Sequence, residues 1–326
     1  MNASIGQTTA MDPSNERARS SSVSCRVLET PAEMRAVEEL SALVWPGSDL
    51  DVVPAHLLLT VAHNGGLVAG AFSGDRLVGF VFGFPGLAGP PDGLRPKHCS
   101  HQLAVHPEYR STGVGFALKR LQWRLVRDQG LDRVTWTYDP LLSRNAHLNI
   151  AKLGAVCNTY LRDAYGELRD DLNAGLATDR FLVDWWINSR RVLRRMQDNP
   201  EEGTPEPSGS HETVDLDIAL LKRAVQLNPP SSGRLPAPPS LCELEARERE
   251  YRHGPRCVLI EIPPDFPSVK ATDAELALAW RVHARACFEH LFGKGFAVTG
   301  FIHRAGLRPR ATYVLTRSRP GDADDH

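Results

Sequence analysis

The chain is constrained most by one stretch, in which a short apolar segment runs into a glycine-bearing turn and then into a long helical pattern. The segment Leu103-Ala104-Val105 leads, after a break, to Arg110-Ser111-Thr112-Gly113-Val114-Gly115, and the helical pattern ends at Gly130. A strand, a glycine turn and a helix in this order form an anion site, because the unpaired N–H groups and the positive dipole end of the helix point into the loop. Gly113 and Gly115 allow a phosphate to contact the backbone itself. The stretch therefore predicts a phosphate-binding turn.

Size and composition are those of a globular protein with room for two modest domains. The chain has 326 residues, of which 42% are hydrophobic and 24% are charged, and these fractions are ordinary for globular proteins. The formal net charge of -1 argues against bulk electrostatic attraction to nucleic acid or to an anionic membrane. No apolar run approaches the roughly 20 residues that span a bilayer. We expect neither nucleic acid nor a membrane as a partner.

Residues 1–22 are polar and lack the apolar core of a signal peptide, which favours a disordered tail in a cytoplasmic protein. The six cysteines have no paired spacing, so they predict reduced thiols rather than disulfides. His98, Cys99 and His101 lie close together in the sequence, but no second Cys/His pair completes a zinc site. We therefore expect no bound metal.

The residues before the turn predict a strand, two helices and a hairpin. Thr30 and Glu33 form a capping box, and a helical pattern follows it as far as the residue before Pro46. Turn residues at 73–76 join two β-type runs, and the Pro- and Gly-rich residues 85–96 predict an irregular loop. The predicted elements are a strand at 23–28, helices at 31–45 and 54–63, and strands at 67–72 and 77–84.

Beyond Gly130 the pattern predicts three strands and one helix. Arg133–Tyr138 is typical of a strand, and a βαβ unit of this length requires it to run parallel to the strand before the turn. Ser143 is a candidate cap for a helix that ends at Leu153-Gly154. The remaining predicted strands begin at Ala155 and at Phe181, the second with period-two alternation.

Two motifs in these elements resemble those of the Gcn5-related N-acetyltransferase (GNAT) superfamily. The pattern Arg110-x-x-Gly113-x-Gly115 resembles its acyl-coenzyme A signature, and Asn-Ala-His-Leu-Asn-Ile-Ala-Lys-Leu-Gly-Ala at 145–155 resembles its second motif. Each motif lies on the expected element, which argues against a chance match. The resemblance implies an α/β (α+β) GNAT fold, with a mixed, splayed central sheet flanked by helices.

The same resemblance implies a site for an acyl-CoA co-substrate. Backbone amides of the turn would take the pyrophosphate, and the strand before the turn would pair with the pantetheine amides. A splay between this strand and Val134–Tyr138 would admit the thioester, and a backbone N–H near Leu103 would polarise its carbonyl. The implied cofactor-binding residues are Leu103, Val105, Arg110, Ser111, Thr112, Gly113, Val114, Gly115 and Asn145.

Two side chains are candidates for the general base, which must reach the ammonium directly or through one water. His101 and Asp139 lie at matching ends of the two central predicted strands. His101 could instead be a strand side chain satisfied by the backbone, and Asp139 a turn former before Pro140. The sequence leaves these alternatives open.

The acid for the leaving thiolate is less well determined. The family helix commonly carries a tyrosine four residues before its Lys-Leu-Gly glycine, where this chain has Ile150. Tyr160 and Tyr165 are the nearest tyrosines after the helix, and either could instead be a core aromatic.

Arg144 and Arg180 are basic groups beside the predicted cleft. If the acyl group or the acceptor carries a carboxylate, a bidentate arginine is its expected partner, whereas a structural ion pair is the alternative. Residues 136–140, 143–145 and 179–180 also resemble a subgroup of large bacterial GNAT proteins. Some members of that subgroup transfer a succinyl group to amino acids.

The sequence predicts a GNAT acyl-CoA-binding domain at 23–190, followed by a linker and an extension. Residues 191–254 are typical of a helix and a Pro- and Ser-rich linker, with a short helix around Val214–Leu227. The extension at 255–318 predicts a strand at 257–262, a helix opened by a Thr272 capping box and a hairpin, and a tail follows at 319–326. Because it has no glycine turn, we interpret the extension as a degenerate half-repeat or a sheet extension without a second active site.

These observations predict an acyl-CoA-dependent N-acyltransferase. It would move an acetyl or succinyl group from acetyl-CoA or succinyl-CoA to the primary amine of a small molecule such as an amino acid. Direct attack is expected, because no Gly-x-Ser-x-Gly elbow or Cys/His signature indicates a covalent intermediate. The alternative is a GNAT-like module that binds acyl-CoA as a sensor or docking domain without turnover, and Ile150 favours it.

Overall fold

A mixed sheet of eleven strands runs through the described residues, with helices on both of its faces. The computed structural model describes residues 23–46, 52–89, 93–166, 175–197, 221–228, 235–239, 256–306 and 309–317. The strands are β1 (Val23–Val27), β2 (Leu67–Ser73), β3 (Arg76–Ala88), β4 (Arg95–Val105), β5 (Arg133–Tyr138), β6 (Val156–Leu161), β7 (Arg180–Trp186), β8 (Val225–Gln226), β9 (Cys257–Ile262), β10 (Phe296–Arg304) and β11 (Arg310–Arg317).

The helices lie between these strands in the order that the hydrophobic patterns predict for the first half of the chain. They are α1 (Pro31–Val44), α2 (Ala55–His63), α3 (Val114–Asp128), α4 (Ser143–Ala146), α5 (Arg190–Gln197), α6 (Phe266–Thr272) and α7 (Ala274–Gly293). A 3₁₀ turn forms at Pro107–Tyr109, and a π-helix at His147–Lys152 continues α4.

Local sequence determines where the first helix begins. The Thr30 side chain accepts a hydrogen bond from the Glu33 N–H, and the Glu33 carboxylate accepts the Thr30 N–H in return, so the predicted capping box is confirmed. The helices α1 and α2 pack on one face of the sheet, against Phe80 and Phe82. The helix α3 packs on the opposite face through Leu118 and its apolar neighbours.

The strand order is β1-β2-β3-β4-β5-β7-β6-β10-β11-β9-β8. Neighbours are antiparallel except for two pairs, β4 with β5 and β8 with β9, which are parallel. The order, the mixed directions and the flanking helices confirm the predicted fold class. The same sheet continues into the C-terminal part of the chain, so the predicted sheet extension is confirmed as well.

The strands β4 and β5 are hydrogen-bonded over two residue pairs only. His98 lies opposite Val134 and Cys99 lies opposite Thr135. Beyond these pairs the strands run on to Val105 and Tyr138 without pairing to each other. The predicted splay is therefore present, and we call the opening between residues 100–105 of β4 and 136–138 of β5 the V. Because β4 leads directly into the glycine turn, the open end of the V lies toward that turn.

The C-terminal strands repeat the arrangement of the central ones. The order β9-β11-β10 corresponds to β5-β7-β6, with helices after β9 as after β5. The strand β8 runs parallel to β9 over two residue pairs that start at Val225 and Val258, as β4 does to β5. The two halves meet where Cys157 of β6 pairs with Val298 of β10. The extension therefore has the strand order of a half-repeat.

In the half-repeat, a side chain bridges the gap that corresponds to the V. Asn228 follows β8 and is fully buried. Its Oδ1 accepts the Glu261 N–H at 2.7 Å, and its Nδ2 donates to the Glu261 C=O at 2.9 Å. The edge of β9 is thereby satisfied by the protein itself, which supports the interpretation that the extension carries no second active site.

Two arginines, the buried Arg281 and the half-buried Arg285, join the half-repeat to the ends of β5 and β7. Arg281 of α7 donates to both carboxylate oxygens of Asp139, at 2.8 and 2.5 Å. Arg285, one turn further on, donates to both carboxylate oxygens of Asp179, at 2.8 and 2.9 Å. These bidentate pairs hold the residue after β5 and the residue before β7 in place.

The prediction of an irregular loop over residues 85–96 is wrong at both of its ends, whereas Gly89, Gly93 and Leu94 lie outside the strands as predicted. The strand β3 continues to Ala88 and β4 begins at Arg95, and Pro85 lies opposite His98 in their antiparallel register. Proline is tolerated here because β2 stops pairing with β3 at Gly83. Beyond that point β3 has a neighbour on one side only, which is where sheets accept proline.

Two predicted helix starts are also wrong. Ser143 lies inside α4 and its hydroxyl donates to the Pro264 C=O, so a long-range contact replaces the cap. Thr272 ends α6, and the cap of α7 is Asp273. An aspartate competes well for this position because its carboxylate is a strong acceptor for the first helical N–H groups.

Residues 214–220 of the short helix predicted around 214–227 lie outside the described residues, and Leu221 is helical. The C-terminal part of the predicted helix is wrong, because Val225 and Gln226 form β8 beside β9. The predicted tails at 1–22 and 319–326 also lie outside the described residues.

Replacing one partner of the buried Arg281–Asp139 pair tests how the halves are joined. Arg281→Met should lower the free energy of unfolding by about 3–5 kcal/mol, because it leaves the Asp139 carboxylate without its bidentate partner. Urea unfolding followed by circular dichroism measures this change. The control is Arg162→Met, which removes the exposed pair with Glu289 and should leave the midpoint unchanged. Equal midpoints for both variants would contradict a stabilising role for the buried pair.

Candidate active site

The glycine turn leaves backbone donors at the start of α3. Gly113 caps α3 in a left-handed conformation with a φ of 92°, and Ser111 is left-handed as well. The first bond of the helical ladder runs from the Ala117 N–H to the Gly113 C=O. The N–H groups of residues 114–116 therefore keep their donor capacity, as at any helix start. The turn is an open cradle of backbone donors, of the kind that takes an anion.

Two guanidinium groups flank this turn. Arg110 donates from Nε to the Val105 C=O at 3.4 Å, and Arg144 of α4 is exposed. Desolvation lowers the pKa of Arg110, and the charge of Arg144 lowers it further, so the two cations are close enough to repel each other. An anion held at the turn would relieve this repulsion. Arg144, predicted as a substrate-binding residue, thus lies beside the turn.

One edge of β4 has no strand beside it along the V. On its other side β4 pairs with β3 through Leu103 and Val105. Alternate N–H and C=O groups of residues 100–105 therefore face the V, and an extended chain of amides can complete such an edge. A Cβ on Gly115 would come within 3.9 Å of Leu103, Val105 and Leu148. The start of α3, the strand β4 and the π-helix thus converge at the V.

His101 is the extra residue of a β-bulge in β4. The register against β3 slips by one residue between Ser100 and Gln102, and bulges re-aim side chains in this way. The His101 ring lies 5.7 Å from that of Phe82 and 6.0 Å from that of Phe84, yet the residue is exposed. Desolvation lowers the pKa of His101, so its imidazole is mostly neutral at neutral pH.

Four polar side chains lie buried at the closed end of the V. Lys119 of α3 is 1% exposed, and its Nζ donates to Ser100 Oγ and to Gln122 Oε1, both at 2.9 Å. The same Nζ lies 3.7 Å from the centroid of the Trp136 ring. Gln122 Nε2 lies 3.2 Å from His98 Nε2. We call His98, Ser100, Lys119 and Gln122 the buried polar cluster.

Burial changes the protonation of this cluster. Desolvation lowers the pKa of Lys119 to about 7, against a smaller opposing effect of Cys99. Desolvation and the Lys119 charge lower the pKa of His98 to about 4. At neutral pH, Lys119 is therefore a mixture of protonated and neutral forms, whereas His98 is neutral.

Sequence reasoning missed the buried polar cluster. Its only sequence signal is the spacing of Lys119 and Gln122, which lie three residues apart and next to Leu118 and Leu121 of the apolar stripe. A long charged side chain beside an apolar stripe is usually a solvated one. Only the sheet beneath α3 shows that these side chains point inward.

Asp139 lies directly after β5 and is 7% exposed. Besides the two bonds from Arg281, its Oδ1 accepts the Leu141 N–H at 2.9 Å, which is the contact of a turn former. Arg180 Nη1 lies 4.0 Å from Asp139 Oδ2 and donates to the Asp179 C=O at 3.0 Å. Asp139 and Arg180 are thus brought together at the end of β5.

The two candidate tyrosines differ in their surroundings. Tyr160 donates to Asp179 Oδ2 at 2.7 Å, and burial followed by the Asp179 charge raises the pKa of Tyr160 above its ordinary value. Tyr165 is 52% exposed, and its hydroxyl lies 2.6 Å from Thr137 Oγ1 of β5. The Arg180 guanidinium lies 5.6 Å from the Tyr165 ring centroid. Tyr165, Arg180 and Asp139 therefore gather on the β5 side of the V.

A comparison with known families identifies the part of the chain that carries these features. Residues 34–154 match the sequence model of the acetyltransferase (GNAT) family. Residues 34–154 form a GNAT domain. The match includes the glycine turn, the V and the π-helix, and this type of domain is that of acyl-CoA-dependent N-acyltransferases. No curated protein matches the chain significantly.

Solved structures of acetyltransferases resemble about half of the chain at low sequence identity. Aminoglycoside 6'-acetyltransferase type Ii is 19% identical, with 51% of this chain and 99% of that chain covered and a TM-score of 0.40. The protein yncA from Salmonella typhimurium, solved with its cofactor acetyl-CoA, is 17% identical, with coverages of 51% and 95% and a TM-score of 0.40. Ribosomal-protein-S5-alanine acetyltransferase from Vibrio fischeri is 14% identical, with coverages of 51% and 94% and a TM-score of 0.39.

The second GNAT motif forms α4 and the π-helix rather than one regular α-helix. The Leu153 N–H donates to the Leu148 C=O across five residues, and π-turns of this kind occur frequently at functional sites. Ile150 is fully buried in the apolar core, so the position of the family tyrosine is filled by packing here. Asn145 lies in α4 and is partly exposed.

The described residues of the GNAT domain and of the rest of the chain contain no group of three His, Cys, Asp or Glu side chains that could hold a metal ion. The cysteines among them form no disulfide. In the same residues, no helix combines the length and the apolar character needed to cross a bilayer.

An acidic substitution in the turn of the GNAT domain tests where the coenzyme binds. Gly113→Asp should lower the affinity for CoA by roughly 100-fold, because a like charge set against the pyrophosphate costs several kcal/mol. Isothermal titration with CoA measures the affinity. The control is Gly74→Asp, which places the same residue at another left-handed glycine in the β2–β3 turn. Unchanged affinity in Gly113→Asp would show that the pyrophosphate binds elsewhere.

Proposed function

We propose that the protein is an acyl-CoA-dependent N-acyltransferase that moves an acetyl or succinyl group to the primary amine of a small molecule. We base this proposal on the V, an interior sheet edge that opens beside the glycine turn and the first N–H groups of α3 in a GNAT domain. The turn suits a pyrophosphate, and the edge of β4 suits the amides of a pantetheine arm. This arrangement leads the thioester toward the closed end of the V.

The coenzyme is held mainly by backbone groups in this proposal. Thr112 Oγ1 donates to the Tyr109 C=O at 2.7 Å and so stiffens the turn, while Arg110 adds a positive charge beside it. A backbone N–H of the β4 edge between Ser100 and Leu103 polarises the thioester carbonyl. The residues assigned to the coenzyme are Leu103, Val105, Arg110, Ser111, Thr112, Gly113, Val114, Gly115 and Asn145.

His101 is the general base in this proposal. It is exposed, its imidazole is mostly neutral at neutral pH, and it lies two residues beyond the last pair of β4 with β5. It takes a proton from the amine, directly or through one water, as the nitrogen attacks the carbonyl carbon. Asp139 remains the second candidate, but its carboxylate already accepts bonds from Arg281 and from the Leu141 N–H.

The arginines near the V support a substrate that carries a carboxylate. Arg144 is exposed beside the turn, and Arg180 lies near Tyr165 on the β5 side of the V. A succinyl group or an amino acid would present the carboxylate that guanidinium groups bind well. We therefore place succinyl-CoA next to acetyl-CoA as donor and amino acids first among acceptors.

A turnover assay tests the proposal directly. The protein is incubated with acetyl-CoA or succinyl-CoA and a panel of amino acids, polyamines and aminoglycosides, and free thiol is measured over time. Thiol release that requires both donor and acceptor supports the proposal. Tight CoA binding without release above background across the panel would contradict it and would support the acyl-CoA sensor instead.

Substitution of His101 tests the base. His101→Gln should lower kcat by roughly 10²–10⁴-fold, since this is the usual contribution of a general base. Desolvation lowers the pKa of His101 from its ordinary value, so the activity of the wild type should rise with pH through a pKa lower than that of a free histidine. This acidic limb should be absent from the variant.

The control for this substitution is His63→Gln, which changes an exposed histidine at the end of α2. It should leave both kcat and the pH profile unchanged. A His101→Gln enzyme with wild-type kcat and the same acidic limb would exclude His101 as the base.

A further inference from the structure

The buried polar cluster lies at the closed end of the V, toward which the thioester points in the proposed function. Ser100 and Trp136 are the first residues beyond the last pair of β4 with β5, so they mark the closed end of the V on its two sides. Lys119 Nζ contacts both of them, through a hydrogen bond to Ser100 Oγ and through the face of the Trp136 ring. The cluster therefore joins α3 to the closed end of the V.

Ser100 has a proton to give. Its Oγ accepts a hydrogen bond from Lys119 Nζ, and this is the one side-chain hydrogen bond that Ser100 makes within the described part of the chain. A serine hydroxyl carries one donor in addition to its lone pairs. Since Ser100 is 5% exposed, this donor stays out of bulk water and next to the V.

The other side chains of the buried polar cluster give Lys119 neutral hydrogen-bond partners and do not neutralise its positive charge. Gln122 Oε1 accepts from Lys119, so Gln122 Nε2 donates to His98 Nε2 and the His98 proton lies on Nδ1. That buried Nδ1 has no partner among the described residues. The titratable groups that face Lys119 from β4 are His98 and Cys99, and no described carboxylate forms an ion pair with it.

We propose that Ser100 is a catalytic acid of the transfer and that Lys119 is the positioning residue that supplies its proton. This inference rests on the proposed acyl transfer. As the amine nitrogen bonds to the carbonyl carbon and the C–S bond breaks, the electron pair leaves with sulfur. Sulfur takes the Ser100 proton, Ser100 takes a proton from Lys119 Nζ, and the amine proton goes to the base. After CoA leaves, the base releases its proton to solvent and Lys119 regains one from solvent, so protons and electrons balance.

This role answers a need that the second GNAT motif leaves open. Ile150 is buried in the core and has no proton to give. The Tyr160 hydroxyl is bonded to Asp179, and its raised pKa makes it a weak acid. An ammonium with a pKa of about 7 is a far better match to a departing thiolate at neutral pH.

The test compares Ser100→Ala, Ser100→Thr and Lys119→Met with the wild type in the thiol-release assay. Ser100→Ala should lower kcat by roughly 100-fold with little change in KM for acyl-CoA, and Ser100→Thr, which keeps the hydroxyl, should recover most of it. The wild-type rate should fall as pH rises above about 7, because Lys119 must be protonated. Lys119→Met should lower kcat similarly and lose this alkaline limb.

The matched control is Leu121→Met, a buried change on the same helix outside the cluster, which should keep kcat and the alkaline limb. CoA binding by calorimetry verifies that each variant keeps its fold. Wild-type kcat in Ser100→Ala, or an unchanged alkaline limb in Lys119→Met, would overturn the inference while leaving the proposed acyl transfer intact. Absence of turnover by the wild type would overturn both.

Discussion

The structure depends on a sheet edge that is left open inside the sheet. An interior strand normally bonds to a neighbour on both sides, and each buried backbone group without a partner costs about 1–3 kcal/mol. The strand β4 satisfies one side with β3 but leaves β5 after two residue pairs. The surrounding features follow this separation: the glycine turn and the first N–H groups of α3 lie at its open end, a bulge lies beside it, and the buried Lys119 lies at its closed end. Such an edge is stable when a substrate chain completes it.

In the C-terminal half of the sheet, the edge that corresponds to the V is bonded by the protein itself. There β8 also leaves β9 after two residue pairs, but the Asn228 side chain bonds the exposed edge. The extension instead holds the ends of β5 and β7 in place, because Arg281 and Arg285 of its helix α7 bond to the aspartates after β5 and before β7. The β5 side of the V is therefore held by residues that lie more than one hundred positions away in the sequence.

Local signals were sufficient for much of the fold. The Thr30 capping box, the glycine turn and the strand β5 follow from the sequence because each depends on neighbouring residues. The continuation of β3 through Pro85 did not follow from it, since proline is acceptable only where β2 has already ended. The burial of Lys119 could not be predicted from the sequence for a related reason, because it depends on which residues of β4 and β5 lie beneath α3. Candidate residues could thus be found by motif, whereas their partners required the assembled sheet.

Two groups with shifted protonation lie on the β4 side of the V. His101 is an exposed imidazole of β4 that favours its neutral form, and Lys119 is an enclosed ammonium that bonds to the neighbouring Ser100 and gives up its proton readily. In the proposed reaction the first takes the amine proton and the second supplies, through Ser100, the proton for sulfur. A crystal structure of the protein with CoA is the most direct test of this account. It should show pantetheine amides bonded to the edge of β4 between Leu103 and Val105, pyrophosphate on the amides of 114–116, and sulfur beside Ser100. Coenzyme bound elsewhere, or β4 and β5 joined along their full length, would contradict the account.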